Sequence, residues 1–295
     1  MSMDNLKKNV ILTPFNLLYR VSPALTLKIL FRMKVGYPLN LERPRTYNEK
    51  LQWIKLHDHN PAMAQCCDKF AVRGYVESKG CGSYLNELLW QGFDPADIPF
   101  NELPDRYVVK VTHGSTFNII VDGSKPADRD EVIRKCRKWL RAKFLPCYGE
   151  WFYGVERPRV IVERYLDGDG DRGLLDYKVF CFNGQPKLIA VYSDRDSECH
   201  EDVFDLNWSN TGFVGTYPRS GRQIAKPACL DEMISVAKVL SADFNHARVD
   251  FFICDGAPVF GELTFTSSAG FARFGTIEMD YTMGSWLKLP TKKVA

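Results

Sequence analysis

The 295-residue chain is 45% apolar and 25% charged with a net charge of +3, the balance of a globular protein with room for two or three modest lobes. That charge is too small to imply nucleic acid by itself, and there is no run of about 18 uncharged apolar residues to cross a membrane. Pro14, Arg20 and Pro23 interrupt the apolar N-terminal stretch, which therefore lacks a signal-peptide pattern, and the nine cysteines, whose one close pair is Cys66-Cys67, lack metal-site spacing, so reduced, buried thiols in a cytoplasmic protein are expected.

Residues 1–34 carry Lys7, Lys8, Arg20, Lys28, Arg32 and Lys34 against the single acid Asp4, interleaved with apolar residues. The pattern predicts two short amphipathic helices broken near Ser22-Pro23. Two readings stay open: peripheral contact with a membrane surface or lipid-linked substrate, or packing on the main body with the basic residues in water. Residues 40–60 read as a polar turn and then a helix, with Thr46 and Glu49 spaced as a capping box; His57 and His59 lack ligand partners and read as surface residues. Asp68 to Lys79 predicts a helix ending at Gly80. Lys69 in its first turn would face the positive end of the helix dipole, which makes sense if an anion also binds there.

Residues 106–121 predict a strand, Tyr107 to Val111, then the loop Thr112-His113-Gly114-Ser115-Thr116 and a second strand through Val121. Lys110 inside the Val-rich strand needs a counter-ion, and the small residues of the loop allow its backbone amides to cover phosphates. A basic amphipathic helix is expected over 128–145. Strands follow at 159–166 and 174–182, with Asn183-Gly184 turning the second into a return strand, Pro186 to Tyr192. Asp176 and Lys178 share one strand face. Residues 193–227 read as a loop-rich insertion, and 230–241 as a helix.

The stretch His246 to Gly270 reads as a hairpin turned by Asp255-Gly256. Arg248 and Asp250 lie on one face of its first strand, and an antiparallel return brings Glu262 beside Asp250. Two carboxylates and a guanidinium on an apolar hairpin are costly if buried unpaired, and Mg²⁺ with a polyphosphate would offset that cost; a purely structural ion cluster is the alternative. The order of elements predicts an α+β fold and not alternating βαβ units.

Lys110 in a strand before a small-residue loop, Glu163-Arg164-Tyr165-Leu166 closing a strand, and Arg248-x-Asp250 with Glu262-x-Thr264 resemble the ATP-grasp superfamily. With DKFAVRGYV and GELTFTSSAG added, the chain resembles the TupA-like (teichuronopeptide-biosynthesis) ATP-grasp family of polysaccharide-cluster proteins, over roughly residues 35–275. ATP-grasp enzymes hold ATP between two α+β lobes, and the resemblance implies ATP and Mg²⁺ as cofactors. By the same resemblance, Lys69 and Lys110 contact the nucleotide phosphates and the loop with His113, Gly114 and Ser115 covers them. Glu163, Tyr165 and Leu166 belong to the hinge that reads adenine through main-chain groups, and Asp171 or Asp176 contacts ribose. Lys178 reaches a phosphate, Asp250, Glu262 and Thr264 hold Mg²⁺, and Arg248 stabilises the transferring phosphoryl group or a tetrahedral intermediate. Thr264 departs from the asparagine found in many members, offering a neutral hydroxyl oxygen in place of an amide carbonyl.

The domain partition implied is a helical segment over 1–60, a helical region before the grasp over 61–104, a small lobe over 105–162 and a large lobe over 163–295, with the insertion at 193–227. The expected function is an ATP- and Mg²⁺-dependent carboxylate–amine ligase of cell-surface polysaccharide assembly, with a small-molecule or glycan substrate and no nucleic acid. The alternatives are a sugar or glycolipid kinase on the same fold, and a glycosyltransferase or non-catalytic glycan-binding protein.

Overall fold

The computed structural model describes residues 3–168, 173–194 and 198–290, with side chains from residue 12 onwards. In chain order come α1 (Met3–Val21), α2 (Pro23–Lys34), α3 (Tyr47–His57), α4 (Ala62–Cys67) and α5 (Ala71–Ser78). Next are β1 (Leu88–Gly92), β2 (Tyr107–Val111), β3 (Asn118–Val121), α6 (Arg129–Leu140) and β4 (Val160–Arg164). The remainder is β5 (Asp176–Phe182), β6 (Gln185–Ser193), β7 (His200–Phe204), α7 (Leu230–Ser241), β8 (His246–Cys254), β9 (Ala257–Thr264) and α8 (Ile277–Trp286). The chain divides into two compact units, one of residues 1–11, 61–145 and 151–167, the other of 12–60, 146–150 and 168–295. Residues 12–60, expected as a helical N-terminal segment, thus belong to the second unit.

The first unit is built on an antiparallel sheet of order β1-β4-β2-β3. Strand alternation sends Tyr107, Val109, Val111, Val160 and Val162 to one face, where they bury Val132 and Cys136 of α6. Asp128 starts α6 by accepting from the Glu131 amide at 3.0 Å. The alternate positions place Lys110 and Glu163 on the opposite face. Helix α5 begins three residues later than the sequence suggests, because the buried Asp68 carboxylate takes the amides of Phe70 and Ala71, both at 2.9 Å, as a turn before the helix. Lys69 therefore sits ahead of the helix and not in its first turn.

The second unit carries an antiparallel sheet of order β7-β6-β5-β8-β9. Asn183-Gly184 and Asp255-Gly256 make its two tight turns with left-handed φ of 49° and 72°, and 54° and 75°. Val179 and Cys181 face α7, and the Cys181 thiol lies 3.8 Å from the Ala237 carbonyl. On the other face, at the end marked by Phe182 and His246, Tyr47 of α3 and Trp286 of α8 pack on Phe182 with ring centroids 5.9 and 5.5 Å away. The capping box of Thr46 and Glu49 forms as expected. Asp280 of α8 then locks α3 in place by accepting from the Asn48 amide (2.9 Å), the Asn48 side chain (2.8 Å) and the Tyr37 hydroxyl (2.6 Å). Strand β7 lies inside the stretch that reads as loop, and α8 and β1 form without a clear hydrophobic period in the sequence. Seven of the nine cysteines are buried.

His246 is held neutral between two partners: its Nδ1–H donates to the Phe265 carbonyl (2.9 Å), leaving Nε2 to accept from the Tyr47 hydroxyl (3.0 Å). Burial, opposed by the Phe265 bond, pulls its pKa down from 6.5 to about 4. The unfolded chain therefore takes up a proton here before the folded chain does. The contribution is fully present above about pH 6.5 and is lost as pH falls toward 4, up to about 3 kcal/mol. Buried acids such as Glu201, raised by burial, act in the opposite sense, so wild type must be compared with His246→Gln. In urea unfolding between about pH 7 and 4, wild type is expected to lose more stability than the variant by an amount of this order.

Candidate functional site

Two charged clusters stand out, one in each unit. In the second unit the register of the sheet assembles a polar face row by row. Lys178 on β5 stands opposite Asp250 on β8, which stands opposite Glu262 on β9; one row along, Arg248 stands opposite Thr264. In another row Asp176 is opposite Tyr192 on β6, which is opposite Glu201 on β7. Paired residues in antiparallel strands share a face, so these side chains converge.

The Asp250 carboxylate is the hub. Arg248 grips it with two bonds, Nε to Oδ1 at 2.6 Å and Nη2 to Oδ2 at 2.7 Å, and the Lys178 ammonium reaches Oδ2 at 2.6 Å. Lys178 also lies 2.7 Å from Asp176, and Arg248 reaches Glu262 at 3.2 Å and the Thr264 hydroxyl at 3.1 Å. Burial would raise the pKa of Asp250, but Arg248 and Lys178 together hold it below the usual carboxylate range. For Arg248 the order is reversed: burial would lower its pKa, and Asp250 and Glu262 raise it. Two cations are thus ion-paired with three carboxylates, Asp176, Asp250 and Glu262, so that among these five groups the carboxylates outnumber the cations by one.

In the first unit the Lys110 ammonium finds the counter-ion its sequence position requires, Glu163 at 2.6 Å, with Arg73 of α5 3.6 Å from the other carboxylate oxygen. Lys69 reaches the loop 112–116, donating to the Gly114 carbonyl at 2.6 Å, while its amide donates to the Thr112 carbonyl at 3.0 Å. Gly114 takes a left-handed φ of 81°, and a Cβ there would meet the Phe117 ring at 2.8 Å. Ser115 is exposed. His113 differs from its neighbours: its ring is buried beside Phe117 and Phe144, with Nε2 3.0 Å from the Ala142 carbonyl. At the end of β4, the Tyr165 ring lies under the Arg106 guanidinium at 4.1 Å, and Leu166 is half-buried. Asp171 lies outside the described residues.

Several groups in these clusters carry no signal in the sequence. Arg73 reads as an ordinary helix cation until α5 places it on Glu163. Glu201 lies in a stretch that reads as loop; its carboxylate accepts from the amides of Thr216 (2.7 Å) and Tyr217 (3.3 Å), and burial raises its pKa. Tyr192 looks like a strand residue of no special kind, yet its ring lies 5.0 Å from the Lys178 ammonium. Ser267, whose hydroxyl is 3.3 Å from Arg248, is presented by an unusual turn in which Ser268 and Ala269 adopt left-handed φ of 50° and 54°. That turn is gripped from α3: Gln52 donates to the Gly270 carbonyl at 2.6 Å, and the buried ammonium of Lys55 donates to the Ala269 carbonyl at 2.7 Å. The run of small residues TSSAG gives the turn a signal, and Lys55 stands at helical spacing with the buried Leu51 and Ile54, but nothing near it in the chain shows which carbonyls it meets.

Among the described residues no group of three histidine, cysteine or carboxylate side chains could hold a metal by itself. The set Asp250, Glu262 and Thr264 offers instead two carboxylates and a hydroxyl. All three are oxygen donors, the chemistry that a hard cation such as Mg²⁺ prefers, and the excess negative charge of the cluster favours a cation. The residues fit the ion, provided that Asp250 exchanges one of its protein partners for it.

The TupA-like ATP-grasp family model matches residues 49–288. The chain belongs to the TupA-like ATP-grasp family. Its fold is accordingly the ATP-grasp fold, α+β with two antiparallel sheets. No curated protein matches the sequence. Among solved structures, the D-alanine–D-alanine ligase of Bacillus anthracis is similar at 16% identity and a TM-score of 0.42, over 75% of this chain and 59% of that one. The D-alanine–D-alanine ligase of Helicobacter pylori is similar at 12% identity and 0.44, over 83% and 69%. The ATP-grasp ligase PsnB, in complex with a phosphomimetic precursor variant, Mg and ADP, is similar at 14% identity and 0.41, over 73% and 56%. The chain thus spans less than two thirds of the length of the Bacillus anthracis enzyme and of PsnB.

In this TupA-like ATP-grasp protein the cost of opening the hub is measurable. Removing one partner of a buried ion pair typically costs about 3–5 kcal/mol. Asp250→Asn falls at the low end, about 3 kcal/mol, because Lys178 retains Asp176 and Arg248 retains Glu262. Chemical denaturation is expected to show this loss. A double-mutant cycle with Lys178→Met is expected to return part of it, since the two side chains are in direct contact.

Proposed function

We propose that the protein is a cytoplasmic, ATP- and Mg²⁺-dependent carboxylate–amine ligase of cell-surface polysaccharide assembly, joining an amino acid or amino alcohol to a uronic acid or similar carboxylate. The observation that carries the reading is the convergence of Arg248, Asp250, Glu262 and Thr264 with Lys178 on one sheet face. A stable fold does not require such a cluster, because well-packed apolar residues would serve stability as well or better. The polysaccharide assignment rests on family membership.

In this reading Lys69 and Lys110 contact the nucleotide phosphates and the strand end from Glu163 to Leu166 reads adenine. Lys110 is held by Glu163 and Lys69 is anchored to the loop at Gly114, so both ammonium groups are placed before a nucleotide arrives. Lys178 reaches a phosphate, and Asp176 remains a candidate ribose contact. Asp250, Glu262 and Thr264 would hold Mg²⁺, which when bound neutralises charge on the polyphosphate. The acceptor carboxylate oxygen attacks the γ-phosphorus of ATP, releasing ADP and forming an acyl phosphate. The amine then adds to the acyl carbon, and collapse of the tetrahedral oxyanion expels phosphate as the nitrogen loses its proton. Arg248, raised well above its ordinary pKa and fixed by Asp250, stays charged throughout and stabilises that oxyanion.

The test is ADP release by purified protein supplied with ATP, Mg²⁺, an acidic sugar and an amine. Release is expected only when both the acid and the amine are present. Arg248→Lys, which keeps the charge but loses the two-pronged grip, is expected to lower kcat about 10²- to 10³-fold while ATP binding by calorimetry persists. No ADP release with any acid while ATP binds would overturn the ligase reading. A stable phosphorylated product with no need for amine would make the enzyme a kinase, and failure to bind ATP would favour a glycan-binding role.

A further inference from the structure

Helix α2 has two unlike faces. Thr26, Leu27, Leu30 and Phe31 are turned into the second unit, where Leu27 and Phe31 have no exposed surface at all. The opposite face carries Leu25, Lys28, Ile29, Arg32 and Met33 at helical spacing, all exposed except the half-buried Ile29. The stripe continues back through α1. Leu17, Arg20, Val21 and Ala24 are exposed at intervals of three and four residues, in step with Leu25 and Lys28 across the Ser22 break. Ser22 itself is not helical, with φ of −144° and ψ of 89°, but its amide donates to the Leu18 carbonyl and the Thr26 amide to the Ser22 carbonyl, so the two helices join without an intervening loop.

The composition of this stripe is unusual for a surface facing water. Leu17 is 59% exposed, Val21 84%, Leu25 47% and Met33 60%. Of the twelve large hydrophobic side chains exposed among the described residues, these four fall within residues 17–33. The only charged groups among them are the cations Arg20, Lys28 and Arg32, and residues 12–34 contain no acid. A solvated helix face of this length ordinarily mixes both signs and little apolar surface. The inner face packs on the body, as one of the two readings of the sequence expects, while the outer face is apolar and cationic.

We propose that the outer stripe from Leu17 to Met33 docks the protein on an anionic phospholipid surface. Apolar side chains flanked by basic ones, without acids, are what a helix needs to lie in the interface of an anionic bilayer, with Leu, Val and Met in the acyl boundary and Arg and Lys among the headgroups. No described helix is long and apolar enough to cross a membrane, so the contact is peripheral. A second copy of the chain is a poorer occupant, because a two-fold contact would set cations against cations with no acid between them. The proposal stands apart from the ligase reading, since it invokes none of the groups assigned to ATP or its chemistry.

Sedimentation of the full chain with vesicles tests it. Binding is expected to vesicles of phosphatidylglycerol and phosphatidylcholine in equal parts, to weaken steeply with salt, and to be absent with phosphatidylcholine alone. Each cation near an anionic surface is worth roughly fivefold in affinity, so Arg20→Glu with Lys28→Glu is expected to lower binding at least about 25-fold. The triple variant Leu17→Ser, Val21→Ser, Leu25→Ser alters only exposed positions and is expected to stay folded, keep ATP binding and lose the vesicles. Equal sedimentation of wild type and both variants, or no sedimentation of wild type, would overturn the proposal. A concentration-dependent dimer that the triple variant abolishes, with no vesicle binding, would assign the stripe to a second copy and overturn it as well.

Discussion

The structure of the second unit depends on one buried carboxylate. Asp250 is gripped by Arg248 from its own strand and by Lys178 from the neighbouring one, and the Lys178 contact requires β5 and β8 to pair in a single register. A slip of one residue would turn Arg248 and Asp250 together to the α7 face, bury that pair in an apolar layer and part it from Lys178. The charges therefore specify the pairing, although they contribute little net stability. The irregularity between Asp250 and Phe251 falls at the same point: β9 carries an extra residue there, Gly261, between Glu262 opposite Asp250 and Phe260 opposite Phe251.

The same constraint reaches beyond the sheet. Arg248 also touches Ser267, and Ser267 is held by a turn whose two left-handed residues, Ser268 and Ala269, lack the freedom of glycine. Such a turn persists only if its surroundings fix it. Gln52 and Lys55 of α3 supply donors to its carbonyls, and Thr266, just before it, is bonded to the half-buried Glu150 at 2.5 Å. Burial lowers the pKa of Lys55 to about 7 while Glu150 pulls it back, and burial raises that of Glu150. A helix from the N-terminal segment thus positions a residue against the arginine of the charged face, which gives these early residues a structural role in the site.

What the sequence made legible follows from how local each cause is. The turns at Asn183-Gly184 and Asp255-Gly256, the capping box at Thr46 and the hairpin that sets Asp250 beside Glu262 all follow from neighbours in the chain. So does the need of Lys110 for a counter-ion, although only the pairing of β2 with β4 reveals that Glu163 meets it. Where the cause is distant, the sequence is silent. Strand β7 is half polar because Glu201 is satisfied by backbone amides of a following loop, so its pattern resembles loop. Lys55 looks like one more helix cation, and its burial depends on carbonyls contributed by Tyr148 and Ala269, far along the chain. His113 reads as a loop residue beside phosphates, and the aromatic side chains of Phe117 and Phe144 turn it inward.

The two clusters solve the same electrostatic problem in different ways. Around Glu163, two cations share one carboxylate, so the group carries an excess positive charge suited to an anion. Around Asp250, three carboxylates share two cations, so the excess is negative and suited to a metal ion. Neither imbalance helps the fold, since each leaves like charges close together on a sheet face. A cation entering the Asp250 cluster would have to displace one of its protein bonds. The position most sensitive to that exchange is Thr264. Its hydroxyl donates to Glu262 at 3.3 Å and accepts from Arg248 at 3.1 Å, so it can give up one bond to an incoming cation without leaving a buried charge bare. An amide at this position would serve a metal with a stronger dipole but would also need partners for its two N–H groups, which the acidic side of the cluster supplies only through Glu262.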